Sequence, residues 1–322
     1  MPVTGRFIAA LTVLVVSASA AAQWPAKPIR VIVNVAPAGT ADVTARLLAP
    51  RLGEVLGQPV VIDNRGGGDG YVGIEAVARA EPDGYTFLYA PGSRIMIAPH
   101  VVQRADIDPV KALLAVAPTG RISLFLVTHP NVPAKDFAGF LAYARANPGK
   151  LNYGTPGNGT APHIAGEAFS RDAGIRMTHV PYKGAGPVLK DLLGGQIDLA
   201  FDSGTALPQV RAGKLHLLAV VASRRRADFP DVPTLAEAGF KAVDGGPYFG
   251  FYATPGTPPA VVERFNREVG KLMQEPSIRE RFEAQGLEVA EPMGAQAFGA
   301  YVRSESERYA RLLPAIGMTK QP

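Results

Sequence analysis

The stretch LNYGTPGNGTAPHIAGEAF, Leu151 to Phe169, passes from a short apolar run through a glycine-rich loop straight into a helical pattern. A strand, a Gly loop and a helix start in that order make a cradle for an anion, because the first amides of a helix lack intrahelical acceptors and the dipole is positive there. Gly154 and Gly159 have the separation found in nucleotide phosphate loops, but Thr160 and Ala161 stand where such a loop needs Lys and Ser or Thr. The anion is therefore not read as a nucleotide. A second segment, VNVAPAGTADVTARLL, has the same logic: a strand ends, the chain turns through Pro37-Ala38-Gly39-Thr40, and a helix follows with Asp42 near its start. Two such loops facing each other suit a ligand held between two domains.

Working outward, short apolar runs alternate with helical patterns along the whole chain, which argues an α/β fold with largely parallel sheets. The expected strands are Ile29–Ala36, VVID, TFLYA, ISLFLVT, LNYG, MTHVPY, IDLAFD, LHLLAVVA and Tyr248–Thr254. Asp136 is placed to cap FAGFLAYARAN, which Pro148-Gly149 stops. Gly194-Gly195 ends PVLKDLL, and Thr257-Pro258 opens PPAVVERFNREVGKLM. Pro50 falls inside the apolar pattern from Val43 to Leu56, where it predicts a kink or break.

Composition narrows the function. The 322 residues are comfortable for two domains, and 47% apolar residues allow full cores. A formal charge of +5 is mildly basic, and the only dense basic run, Arg224-Arg225-Arg226, has no aromatic ladder beside it. Nucleic-acid binding is disfavoured, and a carrier of small anions fits the balance. Arg6, the apolar core Phe7–Val16 and the alanines before Gln23 form a cleavable export signal, residues 1–22. The absence of cysteine excludes disulfides and a lipid-anchored cysteine, so the expected product is freely diffusing in a periplasm.

Catalytic constellations are thin. The five histidines have no metal-binding spacing, and no nucleophile elbow occurs, so neither an enzyme nor a metal or other cofactor is expected. NRGGGDGYVG contains a formal G-x-G-x-x-G, Gly68 to Gly73, but TFLYA ends in Pro91-Gly92-Ser93 without the ribose-binding acid, which favours a tight interdomain turn. His163 reads as a neutral hydrogen-bonding or packing group, with acid–base work as the alternative. Asp42 reads as a helix-start residue first and a ligand contact second. Asp202, ending IDLAFD, stands where α/β sheets place ligands, and both a ligand role and a structural one remain open.

At this point the residues match a family. The chain resembles the Bug family, the periplasmic solute receptors of tripartite tricarboxylate transporters. The resemblance rests on WPAKPIRVIV, GQPVVIDNRGGG, EPDGYTFLYA, ANPGKLNYGTPGNGTAPHIAGEAF, HVPYKGAGPVLKDLLGGQIDLAF, FPDVPTLAEAGF, TPGTPPAVVERFN and a C-terminal AIGM, in that order. It implies a two-domain periplasmic binding protein clamshell of type II-like form, with domain 1 at 23–124 plus 247–322, domain 2 at 125–246, and the ligand in the interdomain cleft. The implied ligand is a small organic carboxylate (a di- or tricarboxylate, an amino acid or an aromatic acid), and the implied partners are membrane permease subunits served by a monomeric receptor. By position the family's contacts fall on Pro37, Gly39, Thr40 and Asp42 in the first loop and on Thr155, Gly157, Asn158, Thr160 and His163 in the second, with Gly159 beside them. Three departures stand out. Ala38 replaces a common glycine, Gly66-Gly67-Gly68-Asp69-Gly70 replaces a common Pro-Gly-Ala-Gly-Gly, and GSRIMIAPH brings Ser93, Arg94 and His100 toward the expected cleft. Arg94 reads either as a solvated surface group or as the partner of a ligand carboxylate. The alternatives to a transport receptor are a ligand-sensing partner of a signalling receptor and an exported enzyme using His163 with Asp202 or Asp42.

Overall fold

The computed structural model describes residues 24–35, 37, 39–102, 107–182, 185–222, 224–240, 243 and 245–320. The export signal and Ala38 lie outside the described residues. In chain order the elements are β1 (Ile29–Val33), α1 (Thr40–Leu56), β2 (Val60–Asn64), α2 (Tyr71–Ala78), β3 (Thr86–Ala90), α3 (Gly92–Met96), α4 (Ala98–Val101), α5 (Pro109–Ala112), β4 (Leu114–Ile122), β5 (Leu124–Thr128), α6 (Phe137–Ala146) and β6 (Leu151–Thr155). They continue with α7 (Ala161–Ala173), β7 (Met177–Pro181), α8 (Ala185–Leu193), β8 (Leu199–Asp202), α9 (Leu207–Arg211), β9 (His216–Val221), β10 (Phe249–Ala253), α10 (Pro259–Leu272), α11 (Pro276–Ala284), β11 (Leu287–Val289) and α12 (Ala295–Ala315).

Two sheets organise the chain into two lobes. The first has the order β11-β4-β10-β3-β1-β2 and the second β7-β6-β8-β5-β9. Strand alternation explains how each sheet is covered on both faces. In the first, Val31, Val33, Phe87, Tyr89, Phe249 and Phe251 pack with Leu48, Leu52, Phe265 and Phe282 of α1, α10 and α11. The intervening Ile32, Leu88, Ala90 and Tyr252 pack with Ile74, Ile95, Phe298 and Val302 of α2, α3 and α12. The second sheet repeats the scheme. Leu124, Leu126, Tyr153 and Phe201 meet Phe137, Phe140 and Phe169, while Phe125, Val127 and Val220 meet Val188, Leu192 and Leu207.

The sheets are mixed, where largely parallel sheets were expected. β1 runs parallel to β2 and β3, but β10 is antiparallel to β3 and β4, and β5 is antiparallel to β8 and β9. The cause is the connection between lobes. The expected single strand ISLFLVT is cut at Ser123, where β4 leaves the first sheet and β5 starts the second. The chain returns through residues 245–248 into β10, beside β4, so Phe249 pairs with Gly120. From these registers the C-terminal ends of β1, β3, β6 and β8 all lie at the edge where the chain crosses between lobes. That edge is where open α/β sheets bind ligands.

Two local expectations are corrected. α1 runs unbroken through Pro50, which lies on its exposed side, where water can meet the Arg46 carbonyl that the ring leaves without a donor. The glycine turn at Gly68–Gly73 belongs to the first lobe, and its purpose is close packing. A Cβ at Gly73 would stand 2.7 Å from that of Asn34, so α2 can seat against the end of β1 only with glycine there. Asp136 does cap α6, accepting from Gly139 N–H at 2.7 Å. The three arginines at 224–226 face acids: Arg225 pairs with Glu237 at 2.9 Å, Arg226 with Asp228 at 2.8 Å, and Arg224 lies 3.9 Å from Glu283.

Phe265 is the hub of the first core, stacked on Phe87 at 4.1 Å and edge-on to Phe251 at 5.1 Å. Phe265→Ala should lower unfolding free energy by about 3–5 kcal/mol, read as a shifted urea midpoint for the first lobe.

Candidate ligand-binding site

The Gly loop is braced from inside. Thr155 is fully buried at the end of β6, and its Oγ1 lies 2.6 Å from His179 Nε2. Thr160 donates from Oγ1 to the Gly157 carbonyl at 2.8 Å, and Gly159 N–H donates to His163 Nδ1 at 3.1 Å. The His163 and His179 rings stack at 3.8 Å with 11° between planes. Behind them Tyr153 donates its phenolic proton to Glu167, whose Oε1 is 4.0 Å from His163 Nε2. Parallel pairing of β6 with β7 sets Tyr153 beside His179, which is how a strand residue reaches the loop.

The electrostatics of this cluster follow from burial. Desolvation, then the neighbouring His179, push His163 down to about 4, and burial also lowers His179 against the pull of Glu167. Both rings are therefore neutral near pH 7. The Gly159 bond requires Nδ1 of His163 to be the acceptor, which leaves the proton on Nε2, facing Glu167. His163 makes no bond to Asp202 or Asp42, the partners an acid–base role would use, among the described residues.

With Thr155, Thr160 and His163 turned inward, the loop presents its backbone. The N–H groups of Asn158, Thr160, Ala161 and His163 have no acceptor among the described residues, and Thr160, the residue capping α7, gives no side-chain cap. Gly157 is held at φ +145°, in the region that favours glycine, and a Cβ there would stand 3.4 Å from the Tyr182 carbonyl. The Asn158 side chain is exposed.

The first loop has a matching helix start. Gly39 caps α1 without a side-chain bond, and the Thr40 and Ala41 N–H groups have no acceptor among the described residues. Pro37 and Thr40 are exposed, while Asp42 is 3% exposed and accepts from Arg46 and Asn64, so it organises the helix start. Pro91-Gly92-Ser93-Arg94 follows β3, and Gly92 packs so closely on Pro247 and Tyr248 that no Cβ would fit. On the other side of that return segment, Gly246 lies against Ala161, and Ile164 of α7 joins the apolar cluster of the first lobe with Ile95 and Met96. The return segment thus brings the starts of α3 and α7 together.

Two residues behave otherwise than a cleft role asks. Asp202 spends its carboxylate on its own turn, accepting from Gly204 N–H at 2.6 Å, Ala206 N–H at 2.9 Å and Thr205 Oγ1. His100 turns to α12, with Nε2 2.9 Å from Ser306 Oγ, and not to the cleft. Sequence reasoning singled out none of His179, Glu167, Tyr153 and Asn64, which brace the two loops directly or through one another. A cavity of about 620 Å³ opens elsewhere, at the far pole of the first lobe, lined mainly by apolar side chains including Leu113, Leu114, Val262 and Val302. Its lining is mainly apolar, whereas the open amides lie at the two loops, so the anion reading stays with the loops.

Comparison with known proteins decides the family. The profile described as "Tripartite tricarboxylate transporter family receptor" matches residues 44–318. The chain belongs to this receptor family. It is 33% identical to Protein BugT of Bordetella pertussis over 97% of the chain and 98% of BugT. Among solved structures it resembles an R. palustris protein with adipate, at 30% identity and TM-score 0.75, over 92% of this chain and all of that one. It also resembles MatC from Rhodopseudomonas palustris with bound malate, at 29% identity and TM-score 0.69, over 90% and 100% of the two chains. The two-lobed α/β fold is that of periplasmic binding proteins, and the receptors of this family are solute-binding proteins.

The lowered His163 has a consequence for stability. A base whose folded value lies below its unfolded one contributes stability above the unfolded value of about 6.5 and loses it as pH falls toward 4. Melting temperature should therefore drop between pH 6.5 and 4, and scanning calorimetry of His163→Asn should show a shallower drop over that window.

Proposed function

We propose that this receptor is exported, is cleaved near Ala22-Gln23 and works in the periplasm as a monomer that captures a small organic carboxylate between its two loops. It hands that ligand to a membrane permease of the tripartite tricarboxylate type and performs no chemistry on it. The observation that carries this reading is the pair of helix starts with open amides and no side-chain caps, one in each lobe. A carboxylate accepts several N–H bonds at once, needs no lysine for charge neutralisation, and is favoured by both dipoles. The relatives with adipate and malate support a dicarboxylate. The proposed domains, 23–124 plus 247–322 and 125–246, follow the two sheets except that Leu124 already begins β5, and the proposed contacts are Pro37, Gly39, Thr40, Ser93, Arg94, Gly157, Asn158, Thr160 and the start of α7.

Native mass spectrometry of the purified protein, followed by calorimetry with mono-, di- and tricarboxylates, tests the ligand class. A receptor that binds amines or sugars and no organic acid would overturn it. Gly157→Val, strained at that positive φ, should lower the melting temperature while keeping a cooperative transition, and should weaken carboxylate binding by about a hundredfold or more, since two charge-assisted bonds of about 1.5–3 kcal/mol each are lost. Arg94→Ala should separate ligand classes: dicarboxylates lose about tenfold or more in affinity and matched monocarboxylates little. Equal weakening of both would remove Arg94 from the second carboxylate.

A further inference from the structure

The first loop leaves β1 after Val33 and enters α1 at Thr40 without a side-chain cap. One side chain from the neighbouring strand spans it. Asn64, the last residue of β2, donates from Nδ2 to Asp42 Oδ1 at 2.9 Å and to the Val35 carbonyl at 3.3 Å, and its Oδ1 accepts from Arg46 at 2.7 Å. Arg46 closes the ring by donating from Nε to the same Asp42 oxygen at 2.9 Å. Val35 stands where the loop begins and Asp42 just after it ends. The carboxamide therefore fixes both ends of the segment whose helix start presents the Thr40 and Ala41 amides.

The chemistry suits asparagine alone. The site needs two donors on one atom and an acceptor on the other, at the reach of a short side chain. Aspartate offers no donor when ionised, glutamine is one methylene longer, and leucine keeps the shape without either function. Arg46 is half exposed, whereas Asp42 is buried, and a buried carboxylate needs its hydrogen bonds.

We propose that Asn64 is a positioning residue for ligand binding: by tying Val35 to Asp42 it holds the open amides of the first loop in the orientation that meets the ligand. This rests on the carboxylate reading above. Asn64 acts on the loop and through it on affinity. The groups facing it are Asp42 and Arg46 from α1 and the Val35 carbonyl. Asp63, its neighbour on the opposite face of β2, is engaged with Arg30 and Arg65.

The test compares the wild type with Asn64→Leu and Asn64→Asp, using malate and adipate as calorimetric probes at pH 8 and pH 5. Amide exchange over residues 35–43 is measured in parallel on the ligand-free protein. At pH 8 Asn64→Asp sets two carboxylates against each other with one arginine between them, and affinity should fall about tenfold relative to wild type. At pH 5 the pair shares a proton, the single O–H restores the bond to Asp42 but not the one to Val35, and the ratio should recover part of the way, to about threefold below wild type. Asn64→Leu should lose about tenfold at both pH values, because it has nothing to titrate. Taking ratios to wild type cancels the titration of the ligand and of His163 and His179. Both variants should exchange faster in the loop at pH 8, with melting temperatures lowered by only a few degrees, because Arg46 still holds Asp42. Affinity ratios near one, a flat pH profile for Asn64→Asp, or wild-type exchange over the loop would each overturn the proposal. A wild type that binds neither acid, yet whose loop is loosened by Asn64→Leu, would count against the carboxylate reading and for the holding role of Asn64.

Discussion

Two helix starts that lack side-chain caps are the constraint around which this receptor is arranged. A helix normally satisfies some of its first amides with a Ser, Thr, Asp or Asn side chain, and losing such a cap costs about 0.5–2 kcal/mol. Here Gly39 supplies no side chain, and Thr160 turns its hydroxyl back to the Gly157 carbonyl. Both helices are nonetheless secure, because α1 buries Leu48 and Leu52 and α7 buries Ala165, Ala168 and Phe169 against their sheets. Tertiary packing thus carries helices whose ends stay available.

Keeping amides available demands that everything around them be held by other means. In the second lobe that support is aromatic and neutral: two stacked imidazoles, a buried threonine and a phenol on a carboxylate. In the first it is ionic and amide-based, with Asp42, Arg46 and Asn64. The difference has a physical logic. The first lobe's carboxylate is neutralised by an arginine directly behind it, while the second lobe's histidines stay uncharged.

Much of this was legible in the residues, and the misses share a cause. The Gly loop, the α6 cap and the helix after Pro258 announce themselves through local chemistry. β4 does not, because Pro118 and Gly120 interrupt LAVAPTGRI and read as a loop, although β10 pairs with it through two register shifts. Strand direction was equally hidden, since strands buried on both faces look alike whichever way they run. The break at Ser123 leaves no mark in ISLFLVT, because the pattern stays apolar while the chain changes sheet. Asn64 is silent for a similar reason: its partners Asp42 and Val35 are 22 and 29 residues away, and nothing in GQPVVIDNRGGG points to them. Asp202 shows the opposite case, a sheet-end acid whose oxygens are engaged by its own turn.

The way the chain passes between lobes has a consequence for how such receptors diversify. The five strands of the second sheet are all threaded between Ser123 and Gly245, and Gly245 lies directly against the Ile122 carbonyl, closer than any side chain would permit. The second lobe therefore leaves and re-enters the first at a single point, as an inserted domain does. The buried side chains of its own core, Phe137, Phe140, Phe169 and Phe201 among them, come from that stretch, with Ile122 and Leu312 packed against them from the first lobe. A segment bounded this way behaves as a cassette: recombination between related receptors at Ser123 and Gly245 exchanges one wall of the cleft and retains the other. New ligand preferences then arise by pairing walls, provided that Ile164 and Leu312, which each pack on the other lobe's core, are matched across the exchange.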